Sequence, residues 1–184
     1  AALLSAVSVV PQKAVLFEGT IRSNLLMGNP NASEAELFAA LETAQAAEIV
    51  RTKPNGIDEP VLRGGSNFSG GQKQRLSIAR ALVHGGRILI LDDSASALDF
   101  ATDAKLRAAI RKLSPAPTTF IVSQRAASVM FADFIIVLDE GRAVGQGTHE
   151  ELLRNCAVYR EIYASQFPDE AAKLSIPNNI PEGD

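Results

Sequence analysis

Asn67-Phe68-Ser69-Gly70-Gly71-Gln72-Lys73-Gln74-Arg75-Leu76-Ser77-Ile78-Ala79-Arg80-Ala81-Leu82 is the stretch on which the reading of this chain turns. It passes from a loop (53–67) holding proline and glycines into a helical run over 71–84, which Gly85-Gly86 stops. Ser69 stands where it can cap the helix. Gly70 and Gly71 let backbone N–H groups approach a ligand closely, and the helix N-terminus favours an anion. These features describe a phosphate-binding helix start. The same Ser69-x-x-Gln72 spacing is also an ordinary capping box, and the tetrapeptide alone does not choose between the two.

Working outward, Ile88-Leu89-Ile90-Leu91 is an unbroken apolar run that turns abruptly into Asp92-Asp93. A parallel strand buried on both faces delivers carboxylates at its C-terminal end in this way. Val7–Val10 reads as another buried strand, ended by Pro11. Helices are expected over 20–27, 33–50, 101–113 and 158–165, and strands over 118–123, 134–138 and 142–146. Ser33 and Thr148 each open a capping box, which makes His149 a surface residue of a first helical turn. The polar tail from Pro168 is expected to be disordered. Alternating strands and helices indicate an α/β fold with a mostly parallel sheet and a mainly helical insert.

The 184 residues suit one domain. A formal charge of −3 leaves no basic footprint and argues against nucleic acid as the partner. The lone Cys156 has no internal partner for a disulfide and reads as a packed thiol in a reducing setting. No apolar run approaches the ~20 residues that cross a bilayer. Ala1 to Val10 is apolar from its first residue, as if the chain were cut inside a domain.

The 67–82 stretch resembles, nearly position for position, the signature loop and following helix of ABC transporter ATPases, with Phe68 where leucine is commoner. The 88–93 segment is similar to the Walker B strand, and Ser96-Ala97-Leu98-Asp99 to the D-loop. Val9-Val10-Pro11-Gln12 with Val15-Leu16-Phe17 and Gly19-Thr20-Ile21 resembles the Q-loop and its sequel. The likeness runs from Val7 to Phe167 in the family's own motif order. It implies a P-loop NTPase (RecA-like) sheet with a helical subdomain over 11–86, a region over 87–167 carrying Walker B, D-loop and histidine-loop positions, and a tail over 168–184.

The resemblance also implies roles, with ATP and Mg²⁺ as cofactors. Gln12 would meet Mg²⁺ and the attacking water and report nucleotide state to a membrane domain. Asp92 would hold Mg²⁺ through water. Ser69, Gly70, Gly71 and Gln72 would touch the ATP of a second nucleotide-binding domain, and Asp99 would cross the interface to it. Gly19-Thr20-Ile21-Arg22-Ser23-Asn24-Leu25, the style of the D-loop approach and the 158–167 ending are similar to exporters. An exporter carries its ATPase domain on the cytoplasmic face of the membrane, beside a transmembrane domain. The short span from Gln12 to Ser69 excludes the long coiled coil of chromosome-associated ABC ATPases.

Two positions depart from the pattern. Asp93 stands where the family has its catalytic glutamate, and its stem falls about an ångström short, a misplacement that can cost roughly 10²-fold in rate. Gln124 stands where histidine contacts the γ-phosphate; it can donate a hydrogen bond but carries no charge and shuttles no proton. Together they imply a degenerate site on this subunit and a heterodimer in which the intact signature serves the partner's ATP. A regulatory ATP-binding domain without turnover is the alternative. The sequence holds no Gly-x-x-x-x-Gly-Lys-Ser/Thr, so the Walker A loop and the N-terminal part of the domain are expected upstream of Ala1. In the family the strand leading into that loop is central, beside the 118–123 strand; without it the 118–123 strand is expected to show an open edge and apolar surface. The 184-residue chain by itself is therefore expected to show no magnesium-dependent ATPase activity and no tight ATP binding; robust turnover of the purified chain contradicts this.

Overall fold

The computed structural model describes residues 5–94 and 96–173, which fall into two compact units, Ala1–Ser123 and Gln124–Asp184. Along the first unit run β1 (Val7–Val10), β2 (Gly19–Thr20), α1 (Ile21–Leu26), α2 (Glu34–Thr43), α3 (Ala47–Arg51) and β3 (Pro60–Val61). They are followed by α4 (Gly70–His84), β4 (Ile88–Asp92), α5 (Phe100–Arg111) and β5 (Thr118–Val122). β4 lies between β1 and β5, parallel to both, with Val10 opposite Leu91 and Leu91 opposite Ile121. This is the α/β class with a parallel sheet that the alternation predicts. β2 and β3 form a separate two-residue antiparallel pair.

The strands are apolar but not equally covered. Leu89 and Leu91 of β4 are buried with Val10 in a core that includes Leu25, Leu37, Leu41, Leu76, Ile78 and Leu106. The row Val9–Ile90–Phe120 points the other way, and Val9, Phe120 and Val122 are each more than half exposed. The expectation of a β4 strand buried on both faces thus holds for one face only, where the helices of this unit pack. The exposed Phe120 and Val122 are the apolar surface expected on the 118–123 strand.

The single helix expected over 33–50 is instead two. Ser33 caps α2 through a reciprocal box with Glu36, but α2 ends in a Schellman turn at Gln45, whose φ is +57°. There Ala46 N–H donates to Leu41 O at 2.7 Å and Gln45 N–H to Glu42 O at 3.0 Å. Glutamine rather than glycine occupies the left-handed position, so composition gave no stop signal. Within 53–67, read as loop, the chain adds β3 and two 3₁₀ turns.

Asn24 of α1 is buried and polar, and it fastens the strand-to-helix connection. Its Oδ1 accepts from Phe17 N–H at 2.8 Å; its Nδ2 donates to Phe17 O at 2.8 Å and to Thr20 O at 2.9 Å. Thr20 caps α1 and is boxed by Ser23.

The second unit comprises α6 (Ala126–Val129), the antiparallel hairpin β6 (Ile135–Asp139) and β7 (Arg142–Gly147), then α7 (His149–Asn155), α8 (Ala157–Gln166) and α9 (Pro168–Lys173). Glu140 and Gly141 make its turn with positive φ at both positions, as a two-residue hairpin loop demands. Ile135, Val137, Leu152, Cys156 and Tyr159 form its core, and Cys156 is the packed thiol expected.

Two readings of this unit are corrected. His149 is half-buried rather than a free surface residue: its ring lies against Tyr159 and Tyr163, and its Nδ1 is 2.9 Å from Tyr159 Oη. Burial pushes its pKa below the ordinary imidazole value. The chain beyond Pro168 does not begin as a disordered tail. α9 holds Ala171 fully buried, and Tyr163 Oη donates to Glu170 at 2.6 Å. The rest of that tail, from 174, lies outside the described residues, as do residues 1–4 and Ala95. Among the described residues no helix is long and apolar enough to cross a membrane.

Asn24→Leu keeps the branched shape but takes away the partner of the Phe17 N–H and of the Phe17 carbonyl, while Thr20 O keeps its bond from Ser23 Oγ. It is expected to destabilise the protein by about 2–4 kcal/mol, read as a lower midpoint in denaturant unfolding.

Candidate functional site

Parallel strands bring their C-terminal ends to one edge of a sheet, where α/β proteins bind ligands. β1 runs out into Pro11-Gln12 and β4 into Asp92-Asp93. Across 81 residues of sequence, Gln12 Nε2 donates to Asp93 Oδ2 at 3.0 Å. Asp92 ends β4 opposite Val122 and is exposed, whereas Asp93 is half-covered. Asp93 takes a φ of +42°, uncommon for a residue with a Cβ. Hydrogen bonds fix it from both sides. Its N–H donates to Val122 O at 2.8 Å, and its carbonyl accepts from Ser96 N–H at 3.2 Å and Ser96 Oγ at 2.8 Å. The strained backbone aims the short carboxylate at Gln12.

Asp99 caps α5 with its own carboxylate, accepting from Thr102 N–H at 2.9 Å and from Thr102 Oγ1 at 2.8 Å. These contacts hold its pKa below the ordinary carboxylate range.

At the start of α4 both readings of Ser69-x-x-Gln72 coexist. Ser69 Oγ accepts from Gln72 N–H at 3.3 Å, and Gln72 Oε1 accepts from Ser69 N–H at 3.0 Å, a complete capping box. Ser69 and Gly70 remain exposed. Gly71 sits at a close approach: a Cβ there would lie 3.1 Å from the carbonyl oxygen of Ala97, tight enough that the neighbour would have to give way slightly. The loop leading to Asp99 thus presses on the glycine turn that opens α4. Phe68, in place of leucine, is buried, with Lys53 Nζ 4.8 Å above its ring.

Gln124 opens the second unit, exposed, just ahead of α6. Its carbonyl accepts from Gln166 Nε2 at 2.8 Å, and Gln166 Oε1 accepts from Ala126 N–H at 2.8 Å. Sequence reasoning passed over Gln166, and over Gln74, which is buried in α4 with its Nε2 3.5 Å from Pro11 O, next to Gln12. A glutamine on the apolar face of α4 was the available signal for Gln74; Gln166, in a polar helix end, gave none.

Among the described residues no group of three or more His, Cys, Asp or Glu side chains converges as a metal cage. The Asp92 carboxylate and the Gln12 amide oxygen are hard oxygen donors. They suit an ion such as Mg²⁺, which keeps most of its water and takes further ligands from phosphate.

A sequence model of the family described as "ABC transporter" matches residues 1–96. The chain is 46% identical over 167 residues to an uncharacterized ABC transporter ATP-binding protein of Bacillus subtilis, covering 91% of this chain and 29% of that protein. It is 38% identical to an ATP-dependent lipid A-core flippase of Saccharophagus degradans, covering 88% of this chain and 28% of the flippase. The solved structure of a bacterial Atm1-family ABC exporter with ATP bound superposes with a TM-score of 0.85 at 40% identity, covering 89% of this chain and 29% of that one. The chain therefore spans under a third of the length of these relatives.

Because capping depresses the Asp99 pKa, its contribution to folding is present above the ordinary carboxylate range and is lost as pH falls through the depressed value. An NMR titration of the Asp99 carboxyl is expected to give a midpoint below that range, returning towards it in Thr102→Val.

Proposed function

The chain belongs to the ABC transporter family, and from that premise we propose that it is the ATP-binding part of an exporter whose own hydrolytic site is weak. Its signature loop, Ser69 to Gln72, closes over ATP held by a second nucleotide-binding domain of a different subunit. The hydrogen bond from Gln12 to Asp93 is the observation that carries this reading. It brings the Q-loop side chain and the residue at the catalytic carboxylate position into direct contact at the sheet edge.

In this arrangement Asp93 is the base that must orient the attacking water. Its stem is one methylene shorter than glutamate, and its Oδ2 is already engaged by Gln12, so it reaches water poorly. Gln124 supplies a hydrogen bond to the γ-phosphate and no charge. Asp92 and Gln12 would hold Mg²⁺, which when bound neutralises phosphate charge. Asp99 lies in the loop that faces the other subunit. Gly71 lies close to the Ala97 carbonyl of that same loop, so signature and D-loop are neighbours in this subunit.

Fold and exposure also support a transmembrane partner. An open groove of about 340 Å³ is walled by Val9, Phe17, Met27, Arg80 and His84, with Phe17 and Met27 about half exposed. Its walls come from Val9 ahead of Gln12, from Phe17 and Met27 beyond it, and from the end of α4. We assign the groove to the membrane domain of the proposed exporter, at whose cytoplasmic face this chain would lie.

The test is made in the assembled transporter. Asp93→Glu with Gln124→His is expected to raise turnover at this subunit's site roughly tenfold or more. Ser69→Ala is expected to lower turnover at the other site by about tenfold or more, the worth of one hydrogen bond to a charged phosphate. Brisk activity of an assembly built from this subunit alone contradicts the reading. An absence of turnover at this site in both the native and the repaired subunit would favour a regulatory ATP-binding role.

A further inference from the structure

The turn that presents Gln124 is held by a residue far along the chain. Ala126 is buried, and its N–H opens α6, where the first donors have no partner within the helix. The Arg125 side chain at the N-cap makes no capping bond, since a guanidinium carries no acceptor. Gln166, in the last turn of α8, supplies the acceptor with Oε1 and at the same time binds the Gln124 carbonyl with Nε2, each at 2.8 Å. A carboxamide carries a donor and an acceptor at fixed separation, so one side chain grips the C=O of residue 124 and the N–H of residue 126. That grip fixes the peptide leaving Gln124, and with it the direction of the Gln124 Cα–Cβ bond.

We propose that Gln166 is the positioning residue for Gln124: it locks the turn so that the Gln124 side chain meets the γ-phosphate in one orientation. The inference rests on the reading of Gln124 as a γ-phosphate contact. Gln166 touches no nucleotide itself and acts only through the backbone it holds. α8 and the γ-phosphate contact are thereby linked, and a change that shifts the end of α8 alters how this subunit tells ATP from ADP.

The experiment measures ATP and ADP dissociation constants at this subunit's site in the assembled transporter. Gln166→Leu removes both contacts and is expected to reduce the preference for ATP over ADP by about tenfold, with ADP binding unchanged. Gln166→Glu keeps an acceptor for Ala126 but has no donor for the Gln124 carbonyl. It is expected to show the same loss, and it serves if the leucine variant fails to assemble. In a Gln124→Ala background neither change has a further effect, because the side chain being positioned is gone. The proposal is overturned if Gln124→Ala lowers the preference but the Gln166 variants leave it unchanged. A further loss of equal size in the Gln124→Ala background, or equal weakening of ATP and ADP, overturns it too, since either marks a merely structural role. If Gln124→Ala itself changes nothing, the γ-phosphate reading of Gln124 fails, and this inference with it, whatever the Gln166 variants do.

Discussion

Parallel pairing of β4 with β1 on one side and β5 on the other is the constraint on which the rest depends. Parallel strands share the direction of their ends, so Gln12, Asp92 and Asp93 emerge at one edge although the helical segments lie between them in sequence. The Gln12–Asp93 hydrogen bond and the anchoring of Asp93 to Val122 follow from that register. α4 packs on β1, and Gln74 brings it to the Pro11 carbonyl, so the signature helix and the Q-loop residue rest on the same strand. A one-residue slip of β1 would turn Val10 out of the core and carry Gln12 away from Asp93.

The second consequence concerns how polar side chains are used. Ser69, Gln72 and Asp99 all satisfy backbone groups of their own helices in this structure. A capped helix start is also one whose N–H groups are ordered and exposed, which is what an anion needs. In the proposed function, structural and ligand-contacting roles therefore do not compete. The exchange of an internal acceptor for a phosphate oxygen costs little when the donor is already in place.

The parts of the fold legible in the sequence were those set by local interactions. The boxes at Ser33, Ser69 and Thr148 could be read because cap and partner are three residues apart. The break at Gln45 was not legible, because a Schellman turn with glutamine in the left-handed position leaves no composition signal. His149 and α9 differ from the sequence reading for another reason: their partners, Tyr159 and Tyr163, come from packing rather than adjacency. The same holds at the candidate site. The resemblance named Gln12, Asp93 and Gln124, but the bond between the first two and the Gln166 grip on the third arise only when distant segments meet.

The proposed function gives this subunit a share in two unlike ATP sites, a weak one of its own and a strong one closed by Ser69 to Gln72. Site-resolved nucleotide trapping in the assembled transporter during turnover tests it most directly. Unhydrolysed ATP is expected to be retained at this subunit's own site, with ADP at the site facing Ser69. Equal ADP at both sites would contradict it.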